Sequence, residues 1–189
     1  MAISGKLRTF LAESNIRYTV AKHPVAYTAQ EIAAAQHVPG RQLAKSVLVN
    51  TDRGPVLAVL PAVHLIDLKK LKAVLGAKRL TIAKEADIRQ QFPDIEVGAM
   101  SPFGNLYGVP VVVDQGLGEA AEIVFNGGSH TETIKLRYRD FSALVKPKAG
   151  VFALPISRPK AAKRKSSSKK SARPGRRARK TSPRKKSSR

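Results

Sequence analysis

Apolar residues recur at helix or strand spacing through the first 156 positions of this 189-residue chain, and nothing larger than proline among apolar residues occurs after them. Leu7, Phe10 and Leu11 give a buried stripe to a helix from about Ser4 to Glu13, and Arg17 to Lys22 reads as a short strand. Thr28-Ala-Gln-Glu31 has the form of a capping box, in which a threonine hydroxyl and a glutamate carboxylate satisfy opposite backbone amides. The helix-forming run Ile32 to Gln36 follows, and Pro39 and Gly40 are expected to end it. Leu43 to Thr51 and Pro55 to Pro61 are β-branched and aliphatic runs joined by Asp52-Arg53-Gly54, which predicts a hairpin. Asp67 to Leu75 is amphipathic, with Lys69, Lys70 and Lys72 facing water and a stop at Gly76. A short strand at Leu80 to Ala83 leads to a helix near Lys84 to Gln91, and then to a loop-rich stretch from Phe92 to Gly108. Val109 to Asp114, Glu122 to Phe125 and Thr131 to Tyr138 read as strands, with turns at Gly116 to Gly118 and Asn126-Gly127-Gly128; Arg139 to Val145 closes as a helix. There is no internal repeat. Helices interspersed with hairpins predict an α+β domain around one mixed or largely antiparallel sheet, and argue against a doubly wound parallel sheet.

Charge divides the chain at the same place. The formal net charge is +22, but Ser157 to Arg189 holds 16 Lys+Arg and no acid, so residues 1–156 carry only +6. The first segment is long enough to bury a core without disulfides or a structural metal, and the second has too little to bury to offset the entropy of ordering it. Two regions are therefore expected: a folded domain over 1–156 and a disordered Lys/Arg/Ser-rich tail over 157–189. The absence of cysteine excludes disulfide scaffolds, thiolate zinc sites, iron–sulfur clusters and cysteine nucleophiles. No apolar run approaches the ~20 residues of a membrane span, and Met1 to Phe10 lacks a secretory h-region, so a cytoplasmic protein is the default.

Four features bear on chemistry, and each has a plainer explanation. Lys45 shares a strand face with Leu43, Val47 and Val49, so it is either a solvated edge residue or a cation held for an anion. Gly98-Ala-Met-Ser-Pro-Phe-Gly104 is a glycine-bounded loop whose free N–H groups could hold a carbonyl or phosphate oxygen, or only a tight turn; it is not a Walker loop. Asn126-Gly-Gly-Ser-His130 places a histidine at the start of a strand, where it is solvated or shuttles a proton. His23-Pro24, followed by Tyr27 and Thr28, is as readily a structural turn. His37 and His64 have no partner spacing, no histidine pair has the i, i+4 spacing of a helical metal site, and no Gly-x-Ser-x-Gly elbow presents a serine, so neither a metal nor a serine nucleophile is expected.

In this order, the features resemble the YbaK/prolyl-tRNA-synthetase-associated domain family of aminoacyl-tRNA deacylases, free-standing relatives of an editing insertion in bacterial prolyl-tRNA synthetase. The resemblance runs from about Gly5 to Pro147. It is carried by Lys6-Leu-Arg-Thr-Phe-Leu-Ala, Tyr18 to His23-Pro24, Thr28-Ala-Gln-Glu-Ile-Ala, Lys45, Gly98 to Gly104, Val111-Val-Val-Asp114 and Gly128-Ser-His130. It implies a curved mixed sheet flanked by helices, and hydrolysis of the ester joining an amino acid to the 3′-terminal adenosine of a mischarged tRNA, without a cofactor. The residues it marks as catalytic are Lys45, Gly98, Ser101 and His130. Lys45 would contact the terminal phosphate, the loop from Gly98 to Pro102 would hold the aminoacyl carbonyl, and His130 would position substrate or water. Substrate contacts would come from His23, Tyr27, Thr28, Val47, Ala99, Met100, Pro102, Asn126 and Gly128, and a ribose hydroxyl or held water would replace a protein base. The chain departs from many members at Asn126, and at Ser46 from alanine-selective members that carry Asn.

The tail, including Arg176, Arg177, Arg179, Lys180, Arg184 and Lys185, suits a polyanion and would bind RNA or DNA with steep salt dependence. The expected partners are mischarged tRNA, other RNA or DNA through the tail, and a synthetase, with no membrane. The competing reading is a nucleic-acid-binding protein with a vestigial editing pocket.

Overall fold

A computed structural model describes residues 3–155. The chain divides into two units, Met1–Ser157 and Arg158–Arg189, and all the described residues lie in the first. The element order is α1 (Gly5–Glu13), β1 (Tyr18–Lys22), α2 (Ala29–Ala35), β2 (Ala44–Thr51), β3 (Gly54–Pro61), β4 (His64–Ile66), α3 (Leu68–Leu75), β5 (Leu80–Ile82), α4 (Glu85–Gln91), β6 (Val111–Asp114), α5 (Gln115–Gly118), β7 (Glu122–Asn126), β8 (Glu132–Arg137), α6 (Tyr138–Val145), β9 (Lys148–Gly150) and β10 (Ala153–Pro155).

The β2–β3 hairpin is the centre of a five-stranded mixed sheet ordered β5-β2-β3-β6-β9, antiparallel as far as β3 and parallel from β3 through β6 to β9. Strand alternation puts Leu48, Leu57, Val59, Val111 and Val113 in one core with Leu7, Leu11, Phe103, Phe125 and Phe141. The intervening Val49, Ala58, Leu60 and Val112 meet Leu71 of α3 and Phe152 on the other face. A second, antiparallel sheet, β1-β8-β7, adjoins the first through a parallel bridge between Leu43 and Val124, reinforced by the Val124 N–H donating to Gln42 O at 2.8 Å. This junction at the start of β2 positions the site described below. The domain is α+β, with a mixed sheet flanked by helices.

Most expected elements are present, with three corrections. Helix α2 ends at Ala35, before Pro39, because His37 takes a left-handed φ of 50° that terminates the helix. Gly116 to Gly118 lies in the short helix α5, capped by the Asp114 carboxylate, which accepts the Gly116 N–H at 2.9 Å. The three-residue strands β4, β9 and β10 were not expected; β4 and β10 pair with each other. The tail residues Arg176, Arg177, Arg179, Lys180, Arg184 and Lys185 lie outside the described residues.

Candidate active site

At the junction of the two sheets is a pocket of about 200 Å³ lined by Tyr27, Ile32, Leu43, Ala44, Lys45, Ser46, Gly98, Met100 and Asn126. Ile32 arrives on α2, and the capping box sets that helix. The Thr28 hydroxyl accepts the Glu31 N–H at 3.2 Å, while the Glu31 carboxylate accepts the N–H groups of Tyr27 and Thr28 at 3.0 and 3.1 Å. These bonds hold the Glu31 carboxyl below its ordinary pKa. The same bonds fix the backbone of Tyr27, whose side chain is 73% exposed at the pocket and whose ring lies 4.8 Å, centroid to centroid, from that of His130.

Glu96 to Ala99 form a tight turn closed by the Ala99 N–H donating to Glu96 O at 2.9 Å, with Gly98 at φ 90°. A side chain at that φ would be strained, which is why glycine occupies this position. The His130 ring lies against the turn: its Nε2 is 3.0 Å from Val97 O, and a Cβ at Gly98 would stand 3.4 Å from its Cε1. A carbonyl oxygen only accepts, so Nε2 carries the proton and Nδ1 is left as an acceptor. That Nδ1 is buried without a partner. The Ala99 N–H is spent inside the turn, whereas the N–H groups of Gly98, Met100 and Ser101 have no acceptor among the described residues.

Lys45 opens β2, where its ammonium donates to His64 O on β4. Burial pushes its pKa down, and no carboxylate lines the pocket among the described residues. Two further polar atoms at the pocket, Ser46 Oγ and Asn126 Oδ1, are buried without partners. Among the described residues there is no group of three or more His, Asp or Glu able to hold a metal, and no helix is long and apolar enough to cross a membrane.

A family model described as the aminoacyl-tRNA editing domain matches residues 23–144, which contain every pocket residue just named. The chain belongs to the aminoacyl-tRNA editing domain family. Over 104 residues it is 30% identical to a proline–tRNA ligase of Thermosipho africanus (strain TCF52B); the match covers 55% of this chain and 18% of that protein, so the chain corresponds to a small part of the relative's length. Among solved structures, one described as a proposed trans-editing enzyme for prolyl tRNA synthetase superimposes with a TM-score of 0.71 at 21% identity, covering 81% of this chain and 99% of that one. A hypothetical protein superimposes with a TM-score of 0.73 at 16% identity, covering 79% and 99%. These likenesses establish the fold.

Within this editing domain, Tyr27, Lys45, Gly98, Met100 and Asn126 converge on the pocket, and His130 joins them through Tyr27 and Gly98. Other residues expected at the site occupy different places. Val47 packs with the second core, on the face of β2 opposite Ala44 and Leu48. The Thr28 hydroxyl is committed to its cap. Ala99, Ser101 and Pro102 are buried members of the loop, and none of them lines the pocket. His23 donates from Nδ1 to Pro24 O at 2.7 Å, and its backbone N–H donates to Thr131 O. Gly128, at φ 115°, shapes the turn before His130, where a Cβ would meet Ser4 at 3.2 Å. Sequence reasoning missed Ile32, Leu43, Ala44 and Ser46 as pocket walls. For Ala44 and Ser46 the available signal was the even positions of β2 opposite Lys45; Leu43 and Ile32 carried none.

Proposed function

We propose that this editing domain deacylates a mischarged aminoacyl-tRNA, hydrolysing the ester at the 3′-terminal adenosine. The observation that carries the reading is the convergence of Lys45, the Gly98 turn and Asn126 on one small pocket inside the residues that match the editing family. Lys45 meets a phosphate of the terminal nucleotide. An adjacent anion favours the charged form that burial disfavours, and only one of its N–H donors is used by His64 O. The aminoacyl carbonyl lies over the turn, where uncommitted N–H groups face the negative charge that develops on its oxygen. His130, with Nε2 held by Val97, offers Nδ1 as an acceptor that orients a substrate hydroxyl or the attacking water. As the ester C–O bond breaks, the proton given up by the attacking water passes through the neighbouring ribose hydroxyl or a second held water to the departing 3′ oxygen, leaving free amino acid and the tRNA 3′ hydroxyl.

The test is release of free amino acid from a panel of tRNAs mischarged with small amino acids, alanyl- and cysteinyl-tRNAPro included. Wild type is expected to release at least one, and Lys45→Ala to lower kcat/KM by about 10²-fold or more. No release across the panel, or full activity in Lys45→Ala, overturns the reading.

A further inference from the structure

Glu96 engages its backbone N–H, its carbonyl and one carboxylate oxygen at the site. Its carboxylate Oε2 accepts the backbone N–H of His130 at 2.9 Å. Its own N–H donates to Gly128 O at 3.0 Å, and its carbonyl accepts the Ala99 N–H that closes the turn around Gly98. One residue therefore joins two segments 34 positions apart: the turn around Gly98 at the pocket and the turn that delivers His130. The neighbouring Val97 carbonyl then fixes the His130 tautomer, but it can do so only while the ring is held over the turn.

We propose that Glu96 is a positioning residue of the editing site, acting through His130: its carboxylate holds the His130 backbone so that Nε2 stays on Val97 O and Nδ1 stays directed away as the free acceptor. The bond needs an acceptor oxygen at the end of a two-methylene stem and does not need the negative charge. A glutamine retains that oxygen. An aspartate retains the charge, but its shorter stem withdraws the oxygen by about a bond length. A role based on charge predicts the opposite order, so the two substitutions separate the explanations.

The experiment uses the full chain and has two readouts. In ¹⁵N spectra of the histidine ring, wild type is expected to show His130 as a single Nε2–H tautomer. Glu96→Gln is expected to keep that signature, and Glu96→Asp and Glu96→Ala to move it toward the averaged shifts of a free imidazole. The kinetic arm rests on the deacylation reading: Glu96→Ala and Glu96→Asp lower kcat by about 10²-fold with KM little changed, as expected for misplacement on the ångström scale, and Glu96→Gln restores most of it. If Glu96→Ala does not fold, the Asp and Gln pair still decides. The proposal is overturned if Glu96→Asp keeps the wild-type tautomer, or if Glu96→Gln is the more damaged of the two. If wild type releases no amino acid, the deacylation reading fails, while the spectra still decide whether Glu96 positions His130.

Discussion

Ser46 raises a question of stability against use. Its Oγ is buried with no partner, on the face of β2 opposite Lys45, at the wall of the pocket. An unsatisfied buried hydroxyl costs about 1–3 kcal/mol, whereas an alanine methyl there costs no lost hydrogen bond. Ser46→Ala is therefore expected to raise stability by up to about 1 kcal/mol, read from the urea midpoint at unchanged slope. If the hydroxyl serves the bound aminoacyl group, deacylation falls in the same variant. A loss of stability on this substitution would show that the hydroxyl has a structural partner and is not held in reserve for a ligand. Asn126 Oδ1 has the same standing at the end of β7, so the pocket has two polar atoms without partners among walls formed by Ile32, Leu43, Ala44 and Met100.

At the scale of elements, the site depends on what ties α1 to the loop that follows α4. The Ser4 hydroxyl donates to Asp94 Oδ2 at 2.6 Å, the Tyr107 hydroxyl donates to the same oxygen at 3.0 Å, and the Ser4 N–H donates to Gly127 O at 2.9 Å. Burial, together with Asp94, pushes the Tyr107 phenol up to about 12 from its ordinary 10.0. The unfolded chain thus releases this proton first as pH rises, and between the two values the folded state binds more protons. The contribution is present in full below pH 10 and is lost as pH climbs through about 12. Tyr107→Phe is expected to flatten the decline of the urea midpoint with pH over that interval; parallel profiles for the two proteins would show that the phenol does not carry it. None of this tether was legible in the sequence, since Ser4, Asp94 and Tyr107 are polar residues at scattered positions with no period to mark them. The β2–β3 hairpin and α3 were legible because alternation, Asp52-Arg53-Gly54, the Asp67 cap and Gly76 are local signals that agree with one another. Strands β4, β9 and β10 were not, because at three residues each they depend on distant partners: the Asp114 carboxylate accepts the N–H groups of Phe152 and Ala153 at 2.7 and 2.8 Å and brings β10 to β4. The site divided in the same way. Lys45, Gly98 and His130 each stood out by residue type, but Glu96, which joins the last two, is one acid in a loop and acquires meaning only through a contact 34 residues away.

At the scale of the whole molecule, charge is divided unevenly along the chain. Residues 1–156 carry +6, and the last 33 residues carry +16. Under the proposed deacylation, a pocket of about 200 Å³ has room for a small aminoacyl group and little else of a tRNA. The last 33 residues differ in composition, and we propose that they bind phosphate with little regard for sequence, as Lys and Arg without interleaved apolar residues generally do. If the tail delivers tRNA to the pocket, removing 157–189 leaves kcat at saturating tRNA unchanged and raises KM. The rise in KM is steep at low salt and vanishes at high salt, because neutralising ~6–10 phosphates makes binding ~10³–10⁵ weaker between 50 and 200 mM salt. Kinetics on the full chain and the chain ending at Ile156, at two salt concentrations, make the comparison. Equal KM values at low salt would assign the tail to some other polyanion, and a fall in kcat would mean that it takes part in forming the site. Under the delivery reading, Lys45→Ala and tail deletion lower kcat/KM through separate contacts, and the double variant at low salt is expected to show the product of the two effects.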